Sequence, residues 1–364
     1  MTSSATGAPL TARSDSARPR PTRVIVVLAL LGCATLLAAV ATLTLGSVTV
    51  PFGDTMRVIF GGATDSRWRV VVLDSRVPLT ITAATVGAGL GVAGLQMQTL
   101  FRNPLADPYI LGASSGASLG VALVVLTAGG STLGFTVGLG PSGRYQIIIA
   151  AAVGAFAVLG IIVLISRWVR SSVTLLLIGV MLGAGTTAAV AVLINYSNPQ
   201  SSQQFLVWGL GSFTATTRPD LVVLVPVVAV GIALGAIGVR ALNALLLGEA
   251  YATTMGIRVG RARLLILLSV AVLAGAVTAF CGPIGFLGLV VPHLARIATG
   301  SADHRVLLPG SLLVGALMAL LCGLISQMPG TETVLPLGAV TALFGAPVVI
   351  AVLVRSRRGT LGGT

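Results

Sequence analysis

The chain has 364 residues, of which 55% are hydrophobic and only 9% are charged. A soluble domain carries about 25% charged residues, so a water-exposed globule is excluded and an integral membrane protein remains. The formal charge of +13 comes from arginine alone, because lysine is absent; these arginines lie at the ends of apolar runs, where they report topology and not nucleic-acid binding.

Residues 1–23 are rich in Ser, Thr, Pro and Arg and read as a disordered cytoplasmic tail. The apolar run that follows is too long for a signal-peptide core and lacks a clear small-residue cleavage site, which predicts a retained first helix. A span needs about 20 apolar residues. On that rule the charges and breakers predict ten spans, near 24–46, 79–100, 109–128, 146–166, 173–195, 221–239, 264–281, 283–299, 306–327 and 335–354. The cut between the seventh and eighth rests on Gly282-Pro283, inside a run that also holds Pro292 and several glycines. Such breakers suit a helix interrupted and packed against protein rather than lipid. Asn103-Pro104 stops the second span, and Asp107-Pro108 starts the next with Asp107 as its cap. Gly87 with Gly91, Gly112 with Gly116 and Gly120, and Gly231 with Gly235 have the spacing that lets helix backbones approach closely.

The fold class is therefore all-α, a polytopic bundle over 24–355 with a short cytoplasmic tail at 356–364. If the N-terminus is cytoplasmic, six of the 22 arginines lie outside (Arg57, Arg67, Arg69, Arg76, Arg144 and Arg218) and the other sixteen inside, so both termini are expected in the cytoplasm. The segment between spans six and seven, with its core at 241–260, is then cytoplasmic yet carries Leu245, Leu246, Leu247, Ala250, Ala252 and Met255. A short amphipathic helix and a turn at Gly256 would give a docking surface there, with an interfacial helix on lipid as the alternative.

No predicted span carries Asp, Glu or Arg deep in its apolar length, which disfavours a proton-coupled secondary carrier or channel acting alone. A Walker A motif is excluded by the absence of lysine, so energy for active transport must come from another polypeptide. No nucleophile–base pair suggests an enzyme. His293 and His304 stand eleven residues apart and no cluster of Cys, Asp or Glu joins them, which does not suggest a metal site. Cys33, Cys281 and Cys322 read as small buried apolar residues.

Four motifs then stand in order: FRNPLADPYILGASSGA from Phe101, LLLGEAYATTMG from Leu245, GPIGFLGLVVPHLARIATGSADHRVLLPGSLLVGA from Gly282, and LPLGAVTALFGAP from Leu335. From about Val70 to Arg355 the chain resembles the iron-siderophore and cobalamin permease family, the membrane subunits of type II ABC importers. The resemblance implies a homo- or heterodimer of permeases on two ABC ATPase subunits, which hold ATP and magnesium, with no cofactor on this chain. It also implies a substrate-binding lipoprotein that delivers an iron-siderophore, or cobalamin or haem, from outside a bacterial cytoplasmic membrane. On that resemblance Gly248, Glu249, Ala252, Met255 and Gly256 couple to the ATPase. Asn103 and Leu105 form one cytoplasmic gate, Ser172 and Val173 a second, and Asn198 to Phe213 joins the fifth span in lining the pathway. Leu79, Gln327 and Val334 replace two arginines and an acid common in the family, so docking of the binding protein is expected to fall to Arg67, Arg69 and Arg76.

Overall fold

A computed structural model describes residues 21–62, 65–127, 141–169, 171–328 and 334–361. Helix α1 (Pro21–Thr44) is followed by two short helices, α2 (Phe52–Ile59) and α3 (Ser66–Val70). α3 passes through a π-helical turn, Val71–Arg76, into α4 (Val77–Leu100), so the second span is longer at its outer end than its apolar run suggests. A 3-10 turn, Pro108–Leu111, precedes α5 (Ala113–Thr127), and α6 (Pro141–Ile165), α7 (Ser172–Asn195) and α8 (Pro199–Gly209) follow. α9 (Arg218–Ile237) leads to α10 (Val239–Leu246) and α11 (Glu249–Thr254), then to α12 (Val259–Cys281), α13 (Leu287–Thr299), α14 (His304–Ser326) and α15 (Leu337–Leu361). Among the described residues seven helices are long and apolar enough to cross a membrane, and three shorter apolar ones, in α5, α13 and α15, complete the ten expected. The expected N-terminal tail, apart from Pro21, Thr22 and Arg23, lies outside the described residues.

Local chemistry sets the ends. Asn198 Oδ1 accepts from Ser201 N at 2.8 Å to open α8, and Thr217 with Asp220 forms a capping box on α9. Asp107 does cap the turn after the second span, accepting from Tyr109 N at 2.8 Å. Gly282 ends α12 at φ 73°, a conformation open to glycine, and Phe286 takes φ 70° just before α13. The chain between them is irregular, so the eighth span is a 13-residue helix beginning at Leu287 rather than at Pro283.

α4 is the axis of the bundle. Twenty of its 24 residues are buried, against α9, α12, α13 and α14. The glycine spacing does what helix-packing spacing predicts. A Cβ on Gly87 or Gly94 would meet the carbonyl of Gly315 or Gly288, and one on Gly120 that of Ala150. Gly231 and Gly235 lie against Leu273 and Gln96 in the same way. At the periphery, α1 turns Ile25, Leu30, Leu36 and Leu37 outward, and Cys33 is exposed with them rather than buried. Its small apolar side chain suits a lipid-facing helix equally well. Cys281 and Cys322 are buried. α7 likewise leaves Val173, Leu177, Met181, Val192 and Tyr196 uncovered.

Candidate functional site

At the expected cytoplasmic end, the segment after α9 is two helices rather than one. Gly248, at φ 111°, breaks it between α10 and α11, and Gly256, at φ 79°, makes the turn into α12. The break rotates the residues expected to couple to an ATPase onto two faces. Met255 and Gly256 are exposed and Glu249 is half-buried. Gly248 is buried and Ala252 is 0% exposed, packed in the main core, so neither side faces a partner. The exposed apolar side chains are instead Leu247 just before the break and Tyr251 and Met255 after it, the last two four residues apart. Sequence reasoning missed Tyr251, whose spacing from Met255 was the available signal.

The loop carrying Asn103 and Leu105 lies beside this segment. Asn103 Oδ1 accepts from Leu105 N at 2.9 Å, holding the loop's own turn. His293 Nε2 donates to the carbonyl oxygen of Pro104 at 3.0 Å, and Arg296 Nη1 donates to Gln98 Oε1 at 2.8 Å. His293 is thus a structural link between α13 and the loop after α4. A cavity of about 450 Å³ lies elsewhere, between α5, α7 and α8, with Ser114, Ser115, Ser118 and Thr187 among its lining and no charged side chain. Burial pushes the Asp107 carboxyl up to about 6, opposed by the Tyr109 backbone N–H.

A buried chain of hydrogen bonds joins α10 to α4. Asn243 Oδ1 accepts from the backbone N–H of His304 at 2.9 Å and from its Nδ1 at 2.8 Å, and His304 Nε2 lies 2.8 Å from Thr99 Oγ1. Asn243 Nδ2 donates to Asp303 Oδ1 at 2.7 Å. The Arg305 backbone N–H, which also bonds Asp303, holds that carboxyl below its usual range. The pair expected to form the second gate, Ser172 and Val173, are the first two residues of α7, with Val173 65% exposed. No sequence pattern singled out Asn243, Thr99 or Gln98, because the partners that matter here lie between 60 and 205 residues away.

At the expected outer end, Arg76 departs from its expected docking role. Arg76 is 4% exposed and points inward. Its Nη1 donates to the Leu45 carbonyl and to Gln327 Oε1, both at 2.6 Å, and its Nη2 to the Val48 carbonyl at 2.9 Å. It is occupied by the chain itself and offers nothing to an external protein. Arg67 is exposed, paired with Asp65 at 3.0 Å and set over the Trp68 ring at 5.9 Å. The Arg67 backbone N–H and then its side chain lower the Asp65 carboxyl. Arg69 is exposed, and among the described residues it makes no ion pair.

This bundle and its paired short helices match a known family. The model of the FecCD transport family covers residues 29–355. The chain belongs to that family. Over 327 residues it is 37% identical to the hemin transport system permease protein HmuU of Yersinia pestis, covering 89% of this chain and 94% of that one. The ferric enterobactin transport system permease protein FepD of Escherichia coli is 38% identical over 346 residues, 93% of this chain and 97% of FepD. The vitamin B12 import system permease protein BtuC of Salmonella typhi is 34% identical over 345 residues, 94% and 99% of the two chains. A solved inward-facing ABC transporter assigned to the metal-chelate type superposes with a TM-score of 0.78 at 29% identity, over 91% of this chain and 99% of that one. The protein is accordingly a membrane-embedded transport permease of the type II ABC importer fold.

Proposed function

We propose that this chain is the permease subunit of an ATP-driven importer that carries an iron(III)-siderophore across a bacterial cytoplasmic membrane. It works as a dimer on two ATPase subunits, and a substrate-binding lipoprotein loads it from outside. The observation that carries the reading is the pair α10–α11. It presents Leu247, Tyr251 and Met255 outward while being bonded from behind to the bundle through Asn243 and Glu249. An apolar face on a braced extramembrane platform suits a partner that pushes. The uncharged cavity beside α7, lined by serine and threonine hydroxyls, suits a bulky chelate passed on without tight binding.

Siderophore is favoured over the other cargoes by FepD, with HmuU at nearly equal identity supporting haem as a second reading. The test is uptake by proteoliposomes holding permease, ATPase and binding protein, offered ferric catecholate, ferric hydroxamate, haem and cobalamin in turn. ATP-dependent accumulation of a ferric siderophore is expected. Accumulation of haem or cobalamin alone would transfer the assignment to that cargo.

A further inference from the structure

Glu249 opens α11, and its carboxylate is turned back towards the bundle instead of out to where a partner sits. Its Oε1 accepts from Arg263 Nη2 at 2.7 Å, while Nη1 of the same guanidinium donates to the carbonyl oxygen of Val169 at 2.9 Å. The Arg263 side chain is 5% exposed and that of Glu249 42%, so the link runs from the surface inward. Val169 lies in the turn after α6, three residues before α7 starts at Ser172. One planar guanidinium therefore holds three pieces of chain: α11, the first turns of α12, and Val169, three residues ahead of Ser172. Arginine suits this position because its donors form a rigid fork that can hold two acceptors in fixed directions, which an ammonium on a flexible stem cannot. With little solvent around it, the fork keeps its acceptors at fixed distances, so a shift of one is passed to the other.

We infer that Arg263 is a positioning residue that transmits movement of α11 to the start of α7, and so ties the ATPase-facing platform to the gate at Ser172 and Val173. This rests on the reading of α10–α11 as the ATPase platform. It gives Glu249 a different part from the one its motif suggests: the carboxylate serves as the platform's inner anchor as well as lying at its edge.

The test uses the assembled permease–ATPase complex with Cys33→Ser, Cys281→Ala and Cys322→Ala, and Val173→Cys as the sole reactive thiol. Its labelling rate with a membrane-impermeant maleimide is compared without nucleotide and after trapping with ATP and vanadate. In the parent the two rates are expected to differ several-fold. Arg263→Gln is expected to abolish that difference and uptake, while the complex still assembles and still hydrolyses ATP. A purely structural role for Arg263 would instead lower the melting temperature and leave the labelling difference in place, which overturns the proposal. Arg263→Lys, which keeps the charge, guards against a misfolded glutamine variant. It is expected to lose the difference as well, and full retention in a folded lysine variant counts against transmission. A parent complex whose labelling ignores nucleotide also overturns it. Failure of the parent to bind an ATPase at all overturns the platform reading instead.

Discussion

Arg76 donates to two backbone carbonyls and to Gln327, and these bonds staple the chain after α1 and the end of α14 to the outer end of α4. Leaving a buried hydrogen-bond acceptor without its donor costs about 1 to 3 kcal/mol, and Arg76 serves three. Arg76→Ala should therefore lower the melting temperature of the detergent-solubilised protein sharply. Arg69→Ala should leave melting unchanged within about 0.5 kcal/mol, as at an ordinary surface position. The same Arg69→Ala change should weaken capture of the binding protein, and more so at low salt, where exposed charges are least screened. Thermal melts and binding at two salt concentrations check both, and the reverse pattern would return Arg76 to the docking surface. Counting charges predicts Arg76 on the outer side. It could not show which way the side chain turns, because the acceptor that draws it inward is 251 residues away. Gln327 read as a lost arginine. In the fold it is the neutral acceptor that allows Arg76 to be buried, and an arginine there would set two guanidinium groups against each other.

Among the elements, α4 meets α13 and α14 at its glycines by close approach of backbone to backbone. A Cβ on Gly94 would sit on the Gly288 carbonyl, whereas one on Gly160 in α6 would meet nothing within 4 Å. Overpacking of a tight contact costs about 1 to 3 kcal/mol and sometimes more. Gly94→Ala is thus expected to destabilise the protein by at least that order, and Gly160→Ala to be neutral or slightly stabilising because alanine favours helix. Thermal denaturation of the two variants side by side measures this, and equal melting temperatures would refute the close approach. The long elements were legible because uninterrupted apolar length is itself the physical requirement for crossing a bilayer. α13 was legible only through Gly282-Pro283, since 13 residues fall short of that length. The π-helical turn at Val71–Arg76 and the split between α10 and α11 were not. Each depends on how one backbone turn is packed, which leaves no period in the sequence.

At the scale of the whole molecule, the covered and uncovered regions are unequal. The half around α4, α12 and α14 is closed, while α7 and α8 present Leu177, Met181, Val192, Tyr196, Leu206 and Val207 outward. Lipid, a second permease and the pathway are the surfaces available to cover them. With no lysine for nucleotide phosphates and no acid midway along a predicted span, the isolated chain is expected to harness neither ATP nor a proton gradient. Reconstituted alone, it is expected to accumulate no ferric chelate under an imposed proton gradient, as followed with radioactive iron. Accumulation there would identify a secondary carrier. The glycine-to-carbonyl seams of α4 carry one more consequence. Backbone pressed on backbone has no rotamer to give, so that half of the protein has almost no compliance and cannot dilate around a passing cargo. If an ATPase does work at the proposed platform, the movement is expected in the less covered α7 and α8, with the glycine-seamed half as the fixed abutment.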